Sequence, residues 1–88
     1  MEPKRQQQML IITAAQCRAA RALLGMNQPG LAAAAGLGLS TVVDLERERR
    51  AVSPEAAGAI QRALEAAGVA FIPQNGGGAG VRLKNADR

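Results

Sequence analysis

The sequence predicts a small, mainly α-helical domain of four to five helices that ends in a β-hairpin. Three observations support this fold class. The chain has 88 residues, which is the length of one domain. Apolar residues recur at helical spacing between residues 13 and 68, where capping residues and glycines mark the ends of successive helices. Two short strand-like runs then flank a glycine-rich segment at residues 74–80.

The first two helices are predicted from their caps. Residues 13–16 have the sequence Thr-Ala-Ala-Gln, which is the spacing of a capping box. The apolar stripe that follows consists of Cys17, Ala20 and Leu24. Gly25 ends this first helix. Asn27 caps the second helix, which tolerates Pro29 in its first turn and ends at Gly36.

The third helix is predicted from about Leu39 to Arg47. Val42 and Leu45 point to one side of it as core residues. The other side carries residues at i, i+3, i+4 and i+7, namely Ser40, Val43, Asp44 and Arg47. A basic loop at residues 47–50 follows, so the outward face of this helix runs into a cluster of cations.

The fourth helix and the hairpin complete the prediction. Ser53-Pro54-Glu55 begins the helix with a proline and an acid in favoured positions. Its stripe consists of Ile60, Leu64 and Ala67. Residues 69–72 and 81–84 are the two strands. A lone two-stranded ribbon is marginal in water, so we expect it to pack on the helices or to pair with a second copy.

These elements divide the chain into four parts. Residues 1–12 are expected to form a flexible N-terminal extension, and residues 13–68 the helical domain. Residues 69–84 form the β-hairpin extension, which is a candidate dimerisation element. Residues 85–88 are expected to be a disordered tail. The glycines of the hairpin loop lack a following helix and the Lys-Ser/Thr of a P-loop, so we interpret them as a mobile connection.

The composition excludes several classes of function. The chain has no His, Trp or Tyr, one Phe and a single Cys17. These counts exclude His-based catalysis, a zinc site, an internal disulfide and the aromatic platforms that bind single strands. We therefore expect neither an enzyme nor a cofactor, and we interpret Cys17 as a core residue rather than a redox switch. Because 19 apolar residues are Ala, the core is thin and a homodimer is expected.

The charge points to a polyanionic partner. Eleven Lys and Arg against seven Asp and Glu give a net charge of +4 and a pI near 10.7. A small basic domain of this kind favours nucleic acid or an acidic surface. No apolar run approaches the ~18 residues of a membrane span, and residues 1–8 are too polar for a signal peptide. We therefore expect no membrane contact and a cytoplasmic location.

A motif of 19 residues lies in the centre of the chain. Gln28 to Glu46 follow the pattern Q-x-x-L-A-x-x-A-G-L-x-x-x-T-V-x-x-L-E. This pattern resembles the helix-turn-helix domain of phage-repressor and Cro-type regulators, called the xenobiotic-response-element type. The resemblance covers roughly Thr13 to Ala67. Residues 68–83 resemble the C-terminal extension of short, stand-alone bacterial regulators.

The resemblance implies a lambda-repressor-like bundle that acts as a sequence-specific regulator of transcription, usually a repressor. Such a protein binds double-stranded DNA as a homodimer and places the third helix in the major groove. The DNA contacts carried over by position are Gln28, Leu39, Ser40, Thr41, Val43, Asp44, Arg47, Arg49 and Arg50. The resemblance implies that Gln28 holds a phosphate or a base and that the three arginines meet phosphates. It implies that base edges are faced by Leu39, Ser40, Val43 and Asp44. It also implies a buried ion pair between Arg21 and Glu46.

Departures from the pattern leave alternatives open. Gly38 caps the third helix less well than Ser would. The groove-facing residues include none of the Arg, Lys, Asn or Gln side chains that make bidentate contacts with bases. Asp44 has a second interpretation as an ion-pair partner of Arg47, and the arginines of the loop have one as a solvated surface. The alternative function is therefore a protein-interaction module of the same fold, such as an anti-activator or an antitoxin-like partner.

Overall fold

The computed structural model describes residues 12–85, and that part of the chain folds into four helices followed by two antiparallel strands. The elements are α1 (Ala14–Leu24), α2 (Gln28–Ala35), α3 (Leu39–Arg47), α4 (Pro54–Ala67), β1 (Val69–Ile72) and β2 (Gly80–Leu83). The mainly helical class with a C-terminal hairpin is thereby confirmed. The predicted extension and tail lie outside the described residues, except for Ile12 and Asn85. Ile12 is buried, so the packed domain begins one residue earlier than expected.

Side chains cap three of the four helices as the sequence predicts. Thr13 Oγ1 accepts a hydrogen bond from the Gln16 amide at 3.0 Å, and the Thr13 amide donates to Gln16 Oε1 at 2.9 Å. Asn27 caps α2, and Ser53 caps α4. Each such cap contributes about 1 kcal/mol. α3 begins at Gly38 without a side-chain cap, so its position depends on tertiary contacts.

The ends of α2 and α3 turn the chain in the same left-handed conformation. Gly36 ends α2 with φ 72°, which is a conformation that glycine adopts without a steric penalty. Glu48 ends α3 with φ 55°, although it carries a side chain. The Arg49 amide donates to the Asp44 carbonyl at 3.1 Å across this turn. The chain therefore folds back beside the last turn of α3 as soon as the helix ends.

The core lies where α1, α2, α3 and α4 meet the first strand. Leu31, Ile60 and Leu64 are the largest fully buried side chains, and each contributes about 1.5–3 kcal/mol through burial. The complete cluster consists of Ile12, Cys17, Ala20, Leu31, Ala32, Val42, Ile60, Leu64 and Val69. Three of these nine residues are Ala or Cys, so the core is as thin as the composition indicates.

The hairpin packs on the helical bundle. Its register runs from Val69 opposite Leu83 to Ile72 opposite Gly80. Gln16 Nε2 donates to the carbonyls of Ile72 and Gly80 at 3.3 and 2.9 Å, so one side chain joins the start of α1 to both strands. These contacts confirm that the ribbon is stabilised by packing on the helices.

Candidate nucleic-acid interface

α3 presents opposite faces to the core and to solvent. Val42 is fully buried, whereas Leu39 and Ser40 are exposed. Thr41 and Val43 are half-buried at the edges of the exposed face. An open hollow of about 580 Å³ lies on that face, and its lining consists of Leu39, Ser40, Val43, Asp44, Arg49 and Arg50. The structure therefore brings six of the nine predicted contact residues to one surface.

The Glu46 carboxylate fixes α3 to the rest of the fold. Arg21 of α1 donates to it twice, from Nε at 2.6 Å and from Nη2 at 2.7 Å. Cys17 Sγ donates at 3.1 Å, and Gln28 Nε2 donates at 3.0 Å. The Glu46 side chain is only 2% exposed and the Arg21 side chain 21%. The predicted buried ion pair is confirmed, and it joins three helices rather than two.

The electrostatics of this cluster keep Glu46 ionised. Burial alone would raise the pKa of its carboxyl, but the hydrogen bonds from Arg21, Cys17 and Gln28 outweigh burial and hold that pKa below its usual value. The hydrogen bond to Glu46 raises the pKa of Arg21. Burial, followed by the hydrogen bond to Glu46, raises the pKa of the Cys17 thiol. Cys17 is therefore a protonated core residue that helps to solvate a buried carboxylate.

Asp44 pairs with the segment that follows α3. Arg50 Nε lies 2.6 Å from Asp44 Oδ2, and Arg49 Nε lies 3.9 Å from Oδ1. The interpretation of Asp44 as an ion-pair residue thus agrees with the structure, but the suggested partner, Arg47, was wrong. The left-handed turn at Glu48 is the reason, because it carries the two later arginines back alongside the helix.

Three predicted contact residues lie apart from the hollow. Gln28 begins α2, and its side-chain amide donates to Glu46, so its contact with DNA stays a prediction. Thr41 lies on the edge of α3, with its backbone amide bonded to the Gly38 carbonyl at 3.2 Å. Arg47 is exposed in the last turn of α3. Thr41 and Arg47 therefore belong to α3 without lining its hollow, and the Gln28 side chain belongs to the Glu46 cluster.

Sequence reasoning missed two polar contacts that fix the position of the interface. Arg18 Nη1 donates to the backbone carbonyl of Glu46, which holds the end of α3 against α1. Gln16 was predicted as a local cap only, yet it also binds both strands. In the sequence, each residue is visible only as a polar side chain on the first helix. Their partners lie 28 to 64 residues away along the chain, so local patterns do not reveal them.

The described residues contain neither a metal-binding cluster nor a helix that could span a membrane. In residues 12–85, no group of three or more Cys, Asp or Glu side chains is arranged to hold a metal ion. No helix in the same range has the length and apolar character needed to cross a membrane. The exposed face of α3 with its adjacent arginines is therefore the strongest candidate site in this part of the chain.

Comparison with known proteins identifies the family. A family model described as helix-turn-helix matches residues 18–67, which is more than half of the chain and includes α2 and α3. A search of curated proteins finds no match. The matched range contains the buried ion pair, the glycine turn and the exposed face of α3. The chain therefore belongs to the Cro-type helix-turn-helix family, whose members are DNA-binding regulatory domains rather than enzymes.

Proposed function

We propose that the protein is a transcriptional repressor that binds a near-palindromic DNA duplex as a homodimer. The observation that carries this proposal is the exposed face of α3, with three exposed arginines, Arg47, Arg49 and Arg50, at and just after the end of the helix. In the proposal, α3 enters the major groove with Leu39, Ser40 and Val43 toward the base edges. The Glu46 cluster supports it, because a reading helix needs a fixed orientation.

The basic segment supplies affinity for the DNA backbone in this proposal. Arg47 and Arg49 are exposed at the end of α3, where they meet phosphates on either side of the groove. Contacts of this kind are independent of sequence and weaken as salt rises. Leu39 and Val43 offer apolar contact to a thymine methyl, and the Ser40 hydroxyl offers a hydrogen bond to a base edge. Because duplex DNA is the target, we place the protein in the bacterial cytoplasm.

The homodimer would place two recognition helices about 34 Å apart, which is one turn of DNA. We propose the hairpin as the dimerisation element, because Ile72 of β1 is an exposed apolar residue and its strand partner is Gly80. Deleting the hairpin would not test this cleanly, because Val69 belongs to the core. The change Ile72→Lys leaves the core intact and should shift the protein to monomer in analytical ultracentrifugation. Ala33→Lys, at an exposed residue of α2, is the matched control.

The alternative function remains a protein-interaction module of the same fold. One observation favours it. A second hollow, with a volume of about 400 Å³, is lined by apolar side chains and is separate from the hollow on α3. Its lining consists of Leu23, Leu24, Met26, Ala67 and Leu83. Exposed apolar surface of this kind is typical of protein contacts. The lining of this second hollow shares no residue with the hollow on the exposed face of α3, so different variants would impair each function.

The deciding experiment is fluorescence-anisotropy titration of the DNA upstream of its own gene beside a scrambled duplex, at several salt concentrations. Tight binding to the native fragment, at salt that dissociates scrambled DNA, is the expected result. Equal binding to both duplexes that vanishes as salt rises would contradict sequence-specific regulation. An absence of binding even at low salt would favour the protein-interaction module.

Two variants connect the result to α3. Ser40→Ala is expected to alter which sequence is preferred, because it removes a hydroxyl from the groove face. Arg47→Ala is expected to weaken binding to all duplexes by a similar factor, because phosphates carry no sequence information. If neither change affects binding while the fold survives, the assignment of α3 to the groove is wrong.

A further inference from the structure

The exposed face of α3 has a chemical deficit for a surface that reads DNA. The α3 residues that line its hollow are Leu39, Ser40, Val43 and Asp44, and they offer apolar contacts, a hydroxyl and a carboxylate, but none of the side chains that bind a base with two hydrogen bonds. Guanine is most often recognised by an arginine that donates to its O6 and N7 atoms. Arg47 ends α3 but does not line the hollow, so no residue of α3 performs this function there.

The turn after α3 supplies the missing donor. Glu48 adopts its left-handed conformation at φ 55°, and the Arg49 amide closes the turn on the Asp44 carbonyl at 3.1 Å. This reversal returns Arg50 to the level of Asp44, where it lines the same hollow as Ser40 and Val43. An arginine outside the helix thereby becomes part of the groove-facing surface.

The contact between Asp44 and Arg50 has the geometry of a support for a base-reading arginine. The Asp44 carboxylate is 12% exposed and accepts from Nε of Arg50 at 2.6 Å. The Arg50 side chain is 72% exposed. With Nε directed at Asp44, the two Nη nitrogens at the end of the planar guanidinium are the pair that matches guanine O6 and N7.

Arg49 provides the contrast within the same turn. Its Nε lies 3.9 Å from Asp44, which is beyond hydrogen-bond distance. A side chain held this loosely, and 61% exposed, suits a phosphate, because backbone contacts require charge but not a fixed orientation. The two arginines are therefore neighbours in sequence with different constraints on their guanidinium groups.

We propose that Arg50 reads a guanine in the major groove through its two Nη nitrogens and that Asp44 is the residue that positions it. This inference rests on the proposed function, because it requires α3 to enter the groove. It also accounts for a carboxylate on a surface that faces DNA. An unpaired carboxylate at this position would repel the phosphates. Held against Arg50, its charge is compensated and its hydrogen bond orients the guanidinium.

The test measures base preference rather than affinity alone. Wild-type protein, Arg50→Lys and the matched control Arg49→Lys are applied to an array of duplexes that covers all eight-base sequences. The wild type should prefer a G·C pair at one position of each half-site. Arg50→Lys keeps the charge but loses the planar fork, so discrimination at that pair should fall about tenfold. Arg49→Lys should leave the preference at every position unchanged.

Asp44→Ala tests the positioning role on the same array. Its effect should fall on the same G·C pair as that of Arg50→Lys, and the double variant should lose no more preference than Arg50→Lys alone. Circular dichroism and thermal unfolding establish that each variant is folded. A loss at a different position in Asp44→Ala would overturn the positioning role.

Two outcomes separate this inference from the proposed function. If the wild type prefers a sequence but Arg50→Lys weakens all duplexes evenly, Arg50 contacts a phosphate and the inference is overturned while the proposed function stands. If the wild type has no preferred sequence on the array, both are overturned. Each result is read from the pattern of preferred bases, so a small change in total affinity does not confuse them.

Discussion

α3 carries two carboxylates two residues apart, and each holds an arginine Nε at 2.6 Å. Their surroundings differ. Glu46 is 2% exposed and its partner Arg21 is 21% exposed, with further donors from Cys17 and Gln28. Asp44 is 12% exposed, but its partner Arg50 is 72% exposed. The same ion-pair distance therefore occurs once inside the bundle and once at its surface.

This difference teaches what each pair can do. In the inner pair the Glu46 carboxylate is out of contact with water. Removal of one member of this pair therefore leaves the other charge without its partner inside the fold. The outer pair has an arginine in solvent, where the net stabilisation is small. A small stabilisation leaves that arginine available to a ligand. The two pairs have the same distance, so the exposure of the cation is what distinguishes them.

The largest effect on stability is expected when the inner pair is broken, and breaking the outer pair provides the comparison. Glu46→Ala should lower the free energy of unfolding by about 3–5 kcal/mol, because Arg21 loses its buried partner. Asp44→Ala should lower it by less than about 1 kcal/mol, because its partners lie in solvent. Urea unfolding followed by circular dichroism measures both. Equal losses in the two variants would contradict the distinction between an inner and an outer pair.

Acid should weaken the inner pair. The pKa of Glu46 is lowered from its ordinary value of 4.5, so the stabilisation that it provides is complete above that value and is lost as the pH falls through the folded-state pKa. Wild type and Glu46→Gln are compared by urea unfolding between pH 7 and pH 3. The difference in their unfolding free energies should be constant above about pH 5 and should shrink below it. A constant difference throughout would show that the charge of Glu46 contributes nothing.

Gln28→Ala should have an intermediate effect. It removes one hydrogen bond to the ionised Glu46 carboxylate, which costs about 1.5 kcal/mol. Thermal unfolding measures this loss, with Gln61→Ala on α4 as a control that removes only a contact to Glu65 within the same helix. DNA affinity measured well below the melting temperature then tests the second role of Gln28. A fall in affinity would support its predicted contact with DNA, and an unchanged affinity would restrict it to the inner cluster.

The smallest effect on stability, with a distinct effect on binding, is expected from Arg49→Ala. The side chain is mostly exposed and makes no close hydrogen bond with Asp44, so the melting temperature should not change measurably. The slope of log affinity against log salt should become shallower by about 0.9, which corresponds to one lost phosphate contact. Anisotropy titrations at four salt concentrations measure the slope. An unchanged slope would remove Arg49 from the DNA interface.

Local features of the fold were predictable from sequence, whereas its distant polar contacts were not. Thr13, Asn27 and Ser53 were identified as caps because a cap bonds to backbone within three residues. The Arg21–Glu46 pair was predicted through the family resemblance. Spacing alone does not reveal a pair that joins two helices 25 residues apart.

The site could be predicted only in part for a related reason. The exposed face of α3 follows from helical periodicity, and Ser40 and Val43 lie on it as expected. The partnership of Asp44 with Arg50 depends on a left-handed turn at Glu48, and a glutamate gives no signal for that conformation. The link between Gln16 and the hairpin depends on packing that periodicity does not describe.

The burial of Cys17 has a practical consequence. Its thiol is 0% exposed and bonded to Glu46 at the junction of α1 and α3, so reagents that modify thiols reach it only when this junction opens. The rate of thiol labelling, followed by mass spectrometry, therefore reports how often the contact between α1 and α3 opens. Because Cys17 is the single cysteine in the chain, every thiol label lies at this position.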